Sequence, residues 1–182
     1  MKKVIAAALV IMLTLSSINA QEVPAAIKSI APKLSKIAAS PSLVAAVKAQ
    51  NAKNVSLDKI KKLDSKWSET SGLDDFMKQV LASTASEYLK KIRKENSFIV
   101  EAFAMDNKGA NVGMTNKTSD YWQGDEDKFT KSYNGGTGGT HFSKLSFDES
   151  TQSYIIQVSV PVMEGGKAIG AVTFGVDPGK IK

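Results

Sequence analysis

The hydrophobic period changes near Ser97, and that change limits the fold more than any other feature of the chain. Before it, apolar residues recur at spacings of three and four; after it, they alternate. Helices followed by strands that are joined by short turns give an antiparallel sheet with helices packed on it. The expected class is therefore α+β, not doubly wound α/β.

In the helical half, Ile27, Ile30, Leu34 and Ile37 lie on one face, with Pro32 inside the pattern as a bend or a delayed start. Ser40 ahead of Pro41 reads as an N-cap with proline at the first helical position, and Ser56 heads the next periodic run to Trp67. Ser71, with Asp74 and Asp75 in the first turn, is expected to open one helix carrying Phe76, Val80, Leu81, Leu89 and Ile92. In the second half, strands are predicted over 98–105 and 110–115, with a turn at 106–109. A polar segment with a short helix follows over 116–134, and then strands over 141–147, 154–163 and 168–176.

The N-terminus carries a different signal. Lys2 and Lys3 precede an apolar run over 4–15, and a small residue, Ala20, closes the segment. This pattern describes a secretory signal peptide over 1–20, with cleavage after Ala20, because the run is too short for a spanning helix. No cysteine is present, which excludes a lipoprotein anchor, disulfides, thiolate metal sites and cysteine nucleophiles. The expected location is periplasmic or secreted.

Charge then reads differently than its total suggests. The formal surplus of +6 in 182 residues would point to nucleic acid. Export makes that partner unexpected, and the surplus is uneven. Residues 21–97 hold 14 basic and 8 acidic side chains, whereas 98–182 hold 8 and 10.

The densest chemistry lies in 118–126, where Tyr121 and Trp122 stand beside Asp120, Gln123, Asp125 and Glu126. Exposed aromatics next to carboxylates suit a cationic or amine-bearing ligand. The same spacing also fits burial, since Trp122, Phe129 and Tyr133 are seven and four apart and could form the inner stripe of a short helix. The acidic cluster lacks the EF-hand spacing, so no metal and no cofactor are assigned. His141 is the single histidine, and neither a Gly-x-Ser-x-Gly nor a His-Glu-x-x-His motif occurs, so no enzyme activity is expected.

The blocks FAMDNKG (103–109), NVG (111–113), TSDYWQGDE (118–126), FDEST (147–151), QVSVP (157–161) and IGAVTFGV (169–176) together resemble an extracytoplasmic Cache domain, also called a PDC or PAS-like sensor. The resemblance covers roughly 73–177. It implies long N-terminal helices on a five-stranded antiparallel sheet, and a small-molecule pocket between the sheet and residues 116–139. It also implies a division into a signal peptide (1–20), a helical region (21–72) and a Cache-like domain (73–182).

In amino-acid-binding members, an Arg-x-Trp-Tyr block and a later Tyr-x-Asp hold the ligand. Trp122 and Asp148 match the tryptophan and the aspartate, while Asp120 stands at the arginine position and Gln123 at the tyrosine. Losing the arginine fork removes bidentate carboxylate recognition. The expected ligand is therefore a small amine, a cation or a polar metabolite, with Lys117 and Lys128 left as point charges for an acid group.

The ligand-binding residues expected on these grounds are Asp120, Tyr121, Trp122, Asp125, Tyr133, His141 and Asp148. Members of the family commonly serve chemoreceptors, kinases or cyclases. The implied partner is a separate membrane receptor or kinase, and a homodimer could form through the N-terminal helices. The alternative is an envelope structural or interaction protein that keeps the fold without the pocket.

Overall fold

Two long strands with opposite faces organise the molecule. The structure, a computed structural model, describes residues 22–149 and 151–181; the expected signal peptide lies outside these residues. Five helices precede the sheet: α1 (Ala25–Ala38), α2 (Pro41–Ala52), α3 (Leu57–Glu69), α4 (Asp75–Leu81) and α5 (Thr84–Glu95). Then come β1 (Ile99–Met105), β2 (Asn111–Met114), α6 (Asp127–Tyr133), β3 (His141–Phe142), β4 (Ser146–Asp148), β5 (Ser153–Glu164) and β6 (Lys167–Val176). All strand pairs are antiparallel, in the order β2-β1-β6-β5-β3, with β4 also paired to β5. The α+β class is as expected.

The helices are short, 7 to 14 residues each, rather than long. α1 continues through Pro32. The Ser40 and Ser56 caps form, their side chains accepting the Leu43 and Lys59 N–H groups.

The single helix expected from Ser71 is instead two. Asp74 caps α4 by accepting the Met77 N–H at 2.8 Å. Ser83 then restarts the chain as the cap of α5, accepting the Ser86 N–H at 3.2 Å and donating its own hydroxyl to the Val112 carbonyl at 3.0 Å. Ser86 completes the joint by donating to the Val80 carbonyl and accepting the Met114 N–H. Gly113 permits this approach, because a Cβ there would strike Ala85 and the Ser86 backbone.

The strand expected over 141–147 is also two pieces. Between them, the Ser143 hydroxyl takes the place of a ladder carbonyl and accepts the Gln157 N–H at 2.8 Å.

One face of the sheet is apolar. Ala102, Ala104, Val158, Val160, Val162, Val172, Phe174 and Val176 are buried there against Ile27, Leu34, Leu43, Val47 and Leu89 of α1, α2 and α5. This core joins the helical region to the sheet. Among the described residues, no helix is long and apolar enough to cross a membrane.

Candidate functional site

The alternate residues of the same strands build the other face, and it carries polar groups. Ser159 and Thr173 are fully buried and bonded to each other at 2.9 Å. Glu101 on β1 receives a hydrogen bond from Gln157 Nε2 on β5 at 3.2 Å. The Glu101 side chain crosses the sheet over Gly175, where any Cβ would collide with it. Burial lifts the Glu101 carboxyl above the usual range and the charge of Asp148 pushes the same way, while the Gln157 bond and Lys128 oppose.

A cavity of about 320 Å³ opens between this face and the 116–139 segment. Glu101, Phe103 and Gln157 form its floor, Thr118, Gln123 and Lys128 its cover, and Asp148 its side. Gln123 is 1% exposed; it donates through Nε2 to the Asp120 carbonyl at 2.9 Å. Its Oε1 is buried with no hydrogen-bond partner among the described residues. Turning the amide over would set two acceptors against each other, so this orientation is fixed. Lys128 pairs with Glu126 at 3.0 Å and lies over the Phe103 ring, and Lys117 donates to the Thr70 carbonyl at 2.8 Å.

The cover is tied to α3 by contacts far apart in sequence. Asp64 Oδ1 accepts the backbone N–H groups of Tyr121 at 2.8 Å and Trp122 at 2.9 Å. Trp67 Nε1 donates to the Thr118 carbonyl at 2.8 Å, and the Ser68 hydroxyl donates to Asp120 at 3.3 Å. Trp122 closes the other end by donating to the Lys108 carbonyl at 2.7 Å. There Gly109 and Gly124 cross so closely that neither has room for a Cβ, and Gly109 needs its φ of +84° for the turn.

The structure does not gather the seven expected residues into one pocket. Asp148 borders the sheet-side cavity. Asp120, Trp122 and Asp125 line one depression with Lys61, Asp64, Ser65 and Glu126. The position over the Trp122 ring that was expected to take a ligand's cation holds Lys61, 4.8 Å from the centroid.

Tyr121 is buried between Trp67 and Phe76, 5.6 and 5.1 Å between centroids. Burial, then the charge of Asp106, pushes its phenol far above the usual range. Tyr133 stacks on Phe129 at 5.2 Å within α6, so the inner-stripe reading describes that pair; Trp122 lies outside the helix. His141 stands at a separate depression beside Asp127 and Lys131, its pKa lowered by burial and then by Lys131.

Glu101, Gln123 and Gln157 were not among the expected residues. Glu101 left a readable signal, a single acid inside the apolar run 98–105.

No family model and no curated protein matches the chain. Among the solved structures it resembles are sensory and ligand-binding domains. One is the sensory domain of the Campylobacter jejuni chemoreceptor Tlp3 with isoleucine bound, at 12% identity and TM-score 0.40, covering 84% of this chain and 61% of that one. Another is the ligand-binding domain of the Pseudomonas fluorescens chemoreceptor CtaA in complex with L-valine, at 12% and 0.40, covering 82% and 62%. A third is the sensor domain of the V. cholerae histidine kinase DctB, at 12% and 0.37, covering 85% and 58%. The chain spans about three fifths of the length of these domains.

Proposed function

We propose that the chain is a non-catalytic, sensor-type domain acting outside the cytoplasm, which binds a small amine-bearing or cationic polar molecule in the sheet-side cavity. The observation that carries this reading is the cavity wall itself. It brings together in one lining Gln123, whose Oε1 is buried without a partner among the described residues, and Glu101, a carboxyl whose charged form is disfavoured by burial. A ligand ammonium would offset the negative charge shared by Glu101 and Asp148, and an N–H or O–H would satisfy Gln123.

Binding would be felt beyond the cavity. Thr118 and Gln123 belong to the cover, and the cover is fastened to α3 through Asp64, Trp67 and Ser68. Tightening it would shift α3, and the outer faces of the N-terminal helices are the surface we assign to a membrane receptor or kinase, or to a second copy. Export through the 1–20 signal peptide belongs to the same reading.

A thermal-shift series with ethanolamine, putrescine, choline, amino acids, carboxylates and purines tests the reading. Saturation at about 100 times Kd should add about 2.7 kcal/mol of stability. The shift should come from the amines and should vanish in Glu101→Gln.

A second reading has its own observation. Tyr121, Trp122 and Tyr133 are engaged inside the fold, while Phe147 and Tyr154 form an exposed edge-to-face pair, 49% and 63% accessible. That arrangement suits an envelope interaction protein. A flat response to every ligand class would select it.

A further inference from the structure

A second cavity, of about 410 Å³, lies on the opposite side of the cover, between α3, α4 and the β2 edge. Its chemistry is the reverse of the sheet-side cavity. Val55, Leu63, Phe76, Val80 and Val112 give it apolar walls, and the only charged residues in its lining are Lys53 and Lys59. Both lysines are exposed; Lys53 donates to Gln50, and Lys59 makes no ion pair among the described residues.

Two polar groups in the wall lack partners. Asn111 is 2% exposed, and its Nδ2 is held by Thr118 Oγ1 at 2.9 Å and the Asp120 carbonyl at 3.1 Å. That leaves Oδ1 on the other edge of the amide, buried and without a partner among the described residues. Tyr121 is 3% exposed, and its hydroxyl makes no hydrogen bond among them. A buried acceptor left alone costs stability, and both residues line this cavity, so a guest able to supply a donor and an acceptor would offset that cost.

We propose that this cavity is a second small-molecule site, for a hydroxyl-bearing apolar acid. The ring or chain would lie against Leu63, Phe76 and Val80. The hydroxyl would donate to Asn111 Oδ1 and accept from Tyr121, and the carboxylate would sit at the mouth with Lys59 and Lys53. The site stands independently of the sheet-side reading, because it shares no lining residue with that cavity.

Three probes separate the parts of the claim: 4-hydroxyphenylacetate has the hydroxyl and the acid, phenylacetate lacks the hydroxyl, and tyramine exchanges the acid for an amine. Titrations of the full chain followed by amide NMR should show 4-hydroxyphenylacetate binding most tightly, with shifts at Asn111, Val112 and the Tyr121 amide.

Tyr121→Phe keeps the ring between Trp67 and Phe76 and should weaken that probe by roughly 2- to 10-fold, the range of one neutral hydrogen bond. Lys59→Ala alters only an exposed side chain and should weaken both acids without changing tyramine. Glu101→Gln should leave the two acids unchanged, while any tyramine bound in the sheet-side cavity should be lost. No binding of either acid at millimolar concentration, 4-hydroxyphenylacetate binding no more tightly than phenylacetate, or acid-induced shifts centred on Glu101 and Gln157 would each overturn the proposal.

Discussion

The two faces of one sheet do opposite work, although they are alternate residues of the same strands. On the helix side, Val158, Val160, Val172 and Phe174 are fully buried against apolar side chains. Such burial contributes about 25 cal/mol per Å² of apolar area removed from water. On the cover side, Glu101, Gln157, Ser159 and Thr173 occupy the intervening positions, with polar groups held where burial is costly. A period of two places these environments one residue apart, so the apolar face can carry the fold while the polar face is kept for chemistry.

The comparison breaks first if the apolar face does not hold the molecule together. Phe174→Ala should cost about 3–5 kcal/mol in chemical denaturation, the range for a fully buried aromatic. A loss below about 1 kcal/mol would mean that the stability resides elsewhere.

Next in size is the fastening of the cover. Asp64→Ala leaves the Tyr121 and Trp122 N–H groups without their acceptor and should cost about 1–3 kcal/mol. Hydrogen exchange should quicken at those two amides before it quickens in β5 or β6. Uniform exchange would show that Asp64 acts on the whole fold and not on the cover.

On the polar face the sign should reverse. The folded Glu101 carboxyl has a raised pKa, so its favourable contribution is present below the ordinary value of 4.5 and is lost as pH rises through the raised one. Glu101→Gln removes that loss and can keep the contact with Gln157. The variant should therefore melt above wild type at neutral pH, with the gap closing as pH falls towards 4.5. A lower melting temperature at neutral pH would contradict the assignment.

The smallest effect is expected from Ser159→Ala with Thr173→Val. Replacing both partners of a buried hydrogen bond by apolar groups should change stability by less than about 1 kcal/mol, whereas either change alone should cost more.

How far each feature was readable follows from the range of the interactions that settle it. The strands at 99–105, 153–164 and 167–176 were legible, because alternation and short turns are local. Caps at Ser40 and Ser56 were legible for the same reason. The break at Ser83 was not, since it depends on β2 closing against α5 through Val112, Gly113 and Met114, about 30 residues on.

The aromatic block shows the same limit at the site. Composition marked Tyr121 and Trp122 as ligand contacts. Their surroundings are set by Asp64, Trp67 and Phe76, more than 40 residues earlier, and by Lys61 over the indole. A carboxylate count cannot show which acid faces a cavity. The acid inside an apolar strand, Glu101, was the better marker, because an unpaired charge is expensive in such a place and needs a reason to be there.

The most direct test sets wild type and Glu101→Gln side by side at neutral pH, melted alone and with ethanolamine, putrescine and choline. The expected result is a higher melting temperature for the unliganded variant, together with amine-induced stabilisation of wild type that the variant lacks. A variant that melts lower, or that responds to the amines as wild type does, would contradict the assignment of the polar face as the binding face.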